Sequence, residues 1–140
     1  MNIVEATTDE QILAARDVMR QLRTGISPAD YLPTVRRMIG EGYRQAVLYD
    51  EAGVVRAVAG FRIFEMLYAG RLMYVDDLRT DEASRSLGHG RALLGWLKEE
   101  ARARGCTQLH LDSGVQREQA HRFYFRERMT VNCFHFRMAL

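Results

Sequence analysis

Residues 85–91, Arg-Ser-Leu-Gly-His-Gly-Arg, combine two glycines and two arginines directly before a helical pattern. Gly88 and Gly90 have no side chains, so the backbone there can adopt positive φ angles and approach a ligand closely. The helix that we predict from Gly90 onward presents unpaired N–H groups and a positive dipole end at the same place. Arg85 and Arg91 add charge. This segment therefore predicts a binding site for a phosphate or pyrophosphate group.

Two familiar phosphate loops do not match this segment. A Walker loop would end in Gly-Lys-Ser/Thr, which is absent, and a dinucleotide fingerprint would need a third glycine where Leu93 stands. On the pattern alone, a glycine-containing connector without a ligand remains an equally good interpretation. A protein that binds the phosphates of another nucleotide also remains an alternative.

Three carboxylates near the predicted strand ends are candidate proton acceptors. Asp76 and Asp77 follow one strand directly, and Glu65 ends the strand before it. The side chains of adjacent residues in a regular strand point to opposite faces. We therefore expect only one of the two aspartates to face the pocket of the molecule that loses the proton. Each of the three could equally be a solvated or turn-capping carboxylate. We rank Asp77 and Asp76 above Glu65.

Tyr124 lies on a predicted helix over residues 118–126. On position alone, the favoured interpretation is a core aromatic beside Phe123 and Phe125. His121 lies three residues earlier on the same helix, and His89 is expected to point into solvent from the glycine segment. No histidine has a spacing typical of metal ligands, so we expect no metal.

The periodicity of the apolar residues predicts an α/β fold with the order β-α-α-β-β-β-α-β-α-β. The predicted elements are strands over 2–6, 45–49, 54–64, 72–75, 107–111 and 131–138, and helices that begin after Thr8, at Pro28, at Gly90 and at Glu118. The strands on either side of the third helix should be parallel neighbours, because a crossover joins them. The result is a mixed central sheet with helices on both faces.

The composition is that of one ordinary globular domain over residues 1–140, with 47% hydrophobic and 27% charged residues. A net charge of +2 is too balanced for a nucleic-acid binder. Cys106 and Cys133 are far apart, which favours reduced thiols over a disulfide. Neither a signal peptide nor a membrane span is evident, so we expect a cytoplasmic location without membrane or nucleic-acid partners.

Two segments resemble the GNAT superfamily of N-acetyltransferases. The run from Val75 to Asp81, followed by the glycine segment and Ala92-Leu93-Leu94, is similar to the central motif of that family. Downstream, Ala120-His121-Arg122-Phe123-Tyr124 resembles its A-x-x-F/L-Y helix. The two segments occur in the expected order, and the predicted elements match the family over essentially the whole chain.

The resemblance implies acetyl-CoA as co-substrate and a role for each matching position. The backbone of Leu78, Arg79 and Thr80 would pair with the pantetheine arm, and a backbone N–H near Leu78 would hold the developing oxyanion. The amides that would wrap the pyrophosphate belong to Arg85, Ser86, Leu87, Gly88, His89, Gly90 and Arg91. Tyr124 would be the general acid, whereas the family does not fix the position of the base. Arg117 stands where the family often has an asparagine that contacts the cofactor, and could supply a phosphate contact instead.

We therefore expect an enzyme that moves the acetyl group of acetyl-CoA to a primary amine of a small molecule or peptide by direct attack. The alternative is a non-catalytic acyl-CoA-binding regulatory module. A homodimer formed through the final strands is expected by analogy with the fold alone. Nothing in the sequence identifies the acceptor.

Overall fold

The computed structural model describes all 140 residues, which form two compact units, Met1–His110 and Leu111–Leu140. The elements are β1 Asn2–Glu5, α1 Asp9–Met19, α2 Pro28–Gly40, β2 Arg44–Tyr49, β3 Val55–Met66, β4 Gly70–Thr80, α3 His89–Ala103, β5 Gln108–Leu111 and α4 Glu118–Arg126, with a short 3-10 turn at Glu82–Ser84 between β4 and α3. The α/β class is confirmed, and the predicted order holds from β1 through α4. No helix is long and apolar enough to cross a bilayer.

Local sequence explains where the first two helices begin. Thr8 precedes α1 and forms a capping box with Gln11, in which each side chain bonds the other residue's backbone N–H. Ser27 accepts a bond from the Asp30 amide, and Pro28 occupies the first turn of α2. Both helices therefore start with their end amides satisfied by side chains, as the sequence predicted.

The five strands form one sheet in the order β1-β2-β3-β4-β5. The first three pairings, β1 with β2, β2 with β3 and β3 with β4, are antiparallel. β5 lies beside β4, which confirms that the strands flanking α3 are neighbours.

Helices cover the two faces of this sheet. Val47 and Val58 face α1 and α2 and belong to one buried cluster with Ile12 and Val35. Phe61 lies an odd number of residues from Val58, points to the other face and contacts Trp96 of α3 edge to face, with ring centroids 6.3 Å apart. The prediction of helices on both faces is confirmed.

The final strand predicted over residues 131–138 is not formed. The chain from residue 129 to residue 140 has no regular secondary structure, and Phe134 and Phe136 are 84% and 91% exposed. Alternating apolar residues indicate a segment that would fit a sheet, but a strand forms only when a neighbouring strand pairs its backbone groups. The five-stranded sheet does not include this segment, so the prediction is wrong for the single chain.

Candidate active site

A bulge in β4 places both aspartates on the same face of the sheet. β3 pairs Gly60 with Asp77 and Phe61 with Val75, which leaves Asp76 as the extra residue. Asp77 shares a face with its partner Gly60, and Asp76 shares that face because it lies two residues beyond Tyr74. The expectation that the two carboxylates point to opposite faces is therefore wrong, since strict alternation holds only in an unbroken ladder.

Asp77 is held in a buried hydrogen-bond network. Only 8% of the residue is exposed, and its carboxylate accepts bonds from the Tyr43 hydroxyl at 2.8 Å and from Arg23 Nε at 2.7 Å. Burial, together with the negative charge of Asp77, raises the pKa of Tyr43 well above its ordinary value, so the phenol remains a donor. Both oxygens of Asp77 are thus engaged, which suits a positioning residue better than a proton acceptor.

Asp76 is the better placed of the two carboxylates to accept a proton. Its Oδ2 accepts one bond from Arg62 Nε at 2.9 Å. Burial raises the pKa of Asp76 and the charge of Asp77 adds to the rise, although the Arg62 hydrogen bond and charge oppose it. A carboxylate with a raised pKa is a stronger base once it is ionised.

The loop between α1 and α2 is fastened to this part of β4. Arg23 Nη2 donates to the backbone carbonyl of Asp76 at 2.7 Å, in addition to its bond with the Asp77 carboxylate. Two residues earlier, Gln21 donates to the Asp81 carboxylate at 2.9 Å and accepts from the Glu82 amide at 2.9 Å. These contacts fix the loop at the end of β4, where the predicted acetyl-CoA strand runs.

Beyond the bulge, β4 has one edge that β5 does not cover. Leu78, Arg79 and Thr80 pair with Ala59, Val58 and Ala57 of β3 on the opposite edge. On the β5 side, the Thr107 amide bonds the Arg71 carbonyl at 3.0 Å, and the four-residue β5 begins immediately after it. Because β5 has four residues and β4 has eleven, β5 ends before β4 does. The uncovered edge is thus open to an extended ligand that pairs with main-chain groups.

The start of α3 differs from the starts of α1 and α2. Its N-cap is Gly88 in the left-handed region at φ +83°, with no side-chain cap and no acidic residue in the first turn. Arg85, Ser86, Leu87 and Gly88 are exposed just before it. Because no side chain of the helix satisfies the end amides, they are available to an external anion. This geometry fits the predicted pyrophosphate site.

His89 is buried, with 8% exposed, and does not point into solvent as expected. It is the first residue of α3 and belongs to the inward row formed with Leu93, Leu97 and Ala101 at four-residue intervals. The glycine segment thus ends one residue earlier than predicted. At the start of α3, His89 contributes its backbone amide, whereas its ring is buried. Gly90 and Arg91 form the rest of the first turn.

The second unit carries Tyr124 and Arg117. Arg117 is the N-cap residue of α4, and Tyr124 lies two turns later on the same helix. Burial raises the pKa of Tyr124, and the positive charge of Arg117 opposes this rise only in part, so the phenol holds its proton at neutral pH. His121 bonds the Gly114 carbonyl through Nε2 at 2.8 Å, which occupies that nitrogen within the same unit.

Glu65 is not brought to the aspartates. It is exposed and pairs with Arg71 across the β3–β4 hairpin, near the turn and away from the bulge. No group of three or more histidine, cysteine, aspartate or glutamate side chains is arranged to hold a metal ion. Arg23, Tyr43 and Arg62, which organise the site, were not predicted from the sequence, because no local pattern marks them.

Comparison with known proteins supports this fold and shows the family of the chain. The model of the Acetyltransferase (GNAT) family matches residues 15–129. The uncharacterized N-acetyltransferase YhdJ of Bacillus subtilis is 30% identical over 125 residues, 89% of this chain and 87% of that protein. The aminoalkylphosphonate N-acetyltransferase of Salmonella typhimurium is 33% identical over 98 residues, 70% of this chain and 62% of that protein. The structure of the aminoglycoside N-acetyltransferase AAC(6')-Iy in complex with CoA matches this fold with a TM-score of 0.83 at 12% identity. The match covers 99% of this chain and 95% of that chain.

The fold and the matching family model define an acetyltransferase. The chain belongs to the GNAT family of acetyltransferases. It is an acetyltransferase, and the two relatives that it matches in sequence are named as N-acetyltransferases.

Proposed function

We propose that this chain transfers the acetyl group of acetyl-CoA to a primary amine of a small molecule or peptide by direct nucleophilic attack. The observation that carries the proposal is the bulge at Asp76. At one point of β4 it combines a carboxylate of raised pKa with the start of a main-chain edge that β5 leaves open.

The donor would be held by backbone groups of two elements. The edge of β4 at Leu78, Arg79 and Thr80 offers main-chain donors and acceptors to the pantetheine arm. The amides at the uncapped start of α3 would hold the pyrophosphate, with charge from Arg85 and Arg91. We propose Arg117 as a further phosphate contact.

The chemistry requires one proton acceptor and one proton donor. Acetyl-CoA supplies the acetyl group as an activated thioester. Asp76, directly or through water, takes the proton that the amine nitrogen loses as its bond to the acetyl carbon forms. The Leu78 amide donates to the carbonyl oxygen while charge develops on it. Tyr124 gives the proton on its Oη to the sulfur as the carbon–sulfur bond breaks. Asp77, fixed by Tyr43 and Arg23, keeps the bulge in place.

The relatives support a small amine as acceptor. One is named for aminoalkylphosphonates and another for aminoglycosides, and both names describe small molecules with amino groups. For the acceptor of this chain we carry over only the feature that these molecules share, an amino group. Peptide N-termini remain within the proposed class.

Three further properties belong to the same proposal. We propose that the chain acts as a single N-acetyltransferase domain in the cytoplasm, where Cys106 and Cys133, both free, would stay reduced. We propose a homodimer, in which the exposed apolar residues after α4 would be covered. Nucleic acid and membranes are not among the proposed partners.

An amine panel tests the enzymatic proposal against a non-catalytic CoA-binding module. Purified protein is mixed with acetyl-CoA and individual primary amines, and free CoA thiol is measured with time. The proposal expects amine-dependent thiol release. Titration calorimetry with CoA, ATP and NAD, expected to show binding of CoA only, supplies the comparison. Binding of CoA without thiol release for any amine would favour the regulatory module.

A further inference from the structure

We infer that the preferred acceptor is a primary amine that carries an aromatic ring, bound on a row of four aromatic side chains beside Asp76. This aromatic row consists of Phe64, Tyr68, Tyr74 and His110. The inference rests on the proposed function and specifies its acceptor.

Each ring of the aromatic row contacts the next. Phe64 stacks on Tyr74 with centroids 6.2 Å apart and planes at 25°. Tyr74 and His110 are 6.3 Å apart, and His110 and Tyr68 are 6.2 Å apart. His110 is oriented at both nitrogens, by the Tyr68 hydroxyl at 3.5 Å and by Gln108 Oε1 at 2.6 Å. The four rings therefore form a continuous, held surface rather than scattered side chains.

The aromatic row lies on the same face of the sheet as Asp76. Tyr74 pairs with Arg62 across the strands, and Phe64 lies two residues beyond Arg62 on β3. Arg62 in turn bonds Asp76 at 2.9 Å. The row is outside the buried cluster that α1 and α2 form on this face. It lies on the part of this face beyond those helices, where Phe64 is 37% exposed and Tyr68 is 69% exposed.

The charges around the aromatic row favour a ring over an anionic group. Arg62 and Arg23 are the cations at the bulge, and the carboxylates of Asp76 and Asp77 already neutralise them. A phosphonate or carboxylate on the acceptor would have to compete with these two carboxylates for Arg62 and Arg23 and would adjoin two acidic groups. The faces of Tyr68 and Tyr74, in contrast, attract both apolar rings and ammonium groups.

The spacing also restricts the length of the acceptor. Tyr74 and Asp76 lie two residues apart along β4, about 7 Å between Cα atoms. A ring packed on Tyr74 can bring its nitrogen toward Asp76 on a short alkyl chain, because the two residues share a face and are close along the strand. Phenethylamine has such a chain, and aminoethylphosphonate has the same two-carbon chain with an anion in place of the ring.

The test compares these two amines with n-hexylamine, an acceptor that has neither a ring nor an anion. Steady-state thiol release from acetyl-CoA gives kcat and KM for phenethylamine, n-hexylamine and aminoethylphosphonate. We expect phenethylamine to have the highest kcat/KM, about tenfold above n-hexylamine, as the contribution of an aromatic pair allows. Tyr74→Leu and Phe64→Leu should raise KM for phenethylamine and leave that for n-hexylamine nearly unchanged. Tyr74→Phe, which keeps the ring, should restore the preference, and Leu13→Ala, an exposed apolar residue of α1 outside the row, is the control.

A binding readout separates failure of this inference from failure of the proposed function. Phenethylamine added to the protein without acetyl-CoA should shift the NMR signals of the four aromatic rings of the row. Turnover of aminoethylphosphonate or n-hexylamine in preference to phenethylamine would overturn the aromatic acceptor and leave the acetyltransferase intact. Absence of thiol release with every amine, while CoA binds, would overturn both.

Discussion

Asp76 and Asp77 are neighbours in the chain, yet both carboxylates lie on the face of the sheet that α1 and α2 cover, because Asp76 is the extra residue of the β4 bulge. Their partners differ. The Asp77 carboxylate is fixed by a tyrosine and an arginine, whereas the Asp76 carboxylate accepts a single arginine bond and has a raised pKa. The bulge thus gives two identical neighbouring residues different surroundings, and the roles that we propose for them, positioning for Asp77 and proton acceptance for Asp76, follow from that difference.

Removal of Arg62 should move the pH profile of the enzyme. Arg62 lowers the pKa of Asp76 through its hydrogen bond and charge. In Arg62→Ala that pKa rises further. Asp76 therefore becomes protonated, and stops accepting a proton, at a higher pH than in wild type. The acidic limb of kcat against pH should shift upward relative to wild type with the same amine. Arg44→Ala, which removes an arginine paired with Glu5 instead, should leave the limb in place. An unshifted limb in Arg62→Ala would show that Asp76 is not the base.

Gly88→Ala should weaken CoA binding specifically. The residue has φ +83°, and no atom lies within 4 Å of the position that a Cβ would occupy, so alanine costs about 1 kcal/mol of backbone strain without a clash inside the protein. Its methyl group would, however, stand where the ligand approaches the α3 amides. We expect CoA to bind about tenfold more weakly, equivalent to about 1.4 kcal/mol, by calorimetry. Gly53→Ala shares the positive φ and the open space but lies in the β2–β3 turn, so it should lose similar stability and no affinity. Equal affinities of Gly88→Ala and Gly53→Ala for CoA would contradict a pyrophosphate site at the start of α3.

Gly60→Ala should be severely destabilising. A Cβ at Gly60 would stand 2.1 Å from the Tyr43 hydroxyl and 2.3 Å from Asp77 Oδ2, in the buried network that holds the bulge. Overpacking of this kind costs roughly 3 kcal/mol of unfolding free energy. The matched change Gly95→Ala, in the interior of α3 with nothing within 4 Å, should instead stabilise by about 0.5–1 kcal/mol. Urea unfolding of both variants measures the difference, and similar stabilities would argue against the close packing at Gly60.

Tyr124→Phe should reduce turnover without reducing CoA affinity. The raised pKa of Tyr124 keeps its proton available for transfer, and phenylalanine retains the ring while removing that proton. A general acid contributes about 100-fold or more to the rate, so kcat should fall by that order. Tyr49→Phe, which removes a hydroxyl from β2, is the control. Turnover within about twofold of wild type in Tyr124→Phe would remove Tyr124 from the mechanism.

Local sequence signals predicted most of the elements. Thr8 and Ser27 marked helix starts because caps act within one turn, and the bounds of α4 were predicted as observed. The failure at residues 131–138 has a physical cause, since a strand also needs a partner that the sequence pattern does not specify. The burial of His89 was missed because the helix starts one residue earlier than Gly90 suggested.

The interior of the site could not be predicted in the same way. Tyr43, Arg23 and Arg62 lie 34, 54 and 14 residues from the aspartates that they bind, and no periodicity relates such distant positions. The bulge itself depends on the register between β3 and β4, and the sequence Asp76-Asp77 does not indicate it. Gly60 was visible as an interior strand glycine, which is a general sign of a bulge or a close approach.

The most direct test of the account is a single-turnover experiment with excess enzyme, acetyl-CoA and an accepted amine, in which CoA thiol and N-acetyl product are followed together. Direct attack predicts that both appear at one rate and in equal amounts, and that no CoA is released before the amine is added. A burst of CoA without amine would indicate an acetyl-enzyme and contradict the mechanism. No N-acetyl product with any primary amine would contradict the proposed function itself.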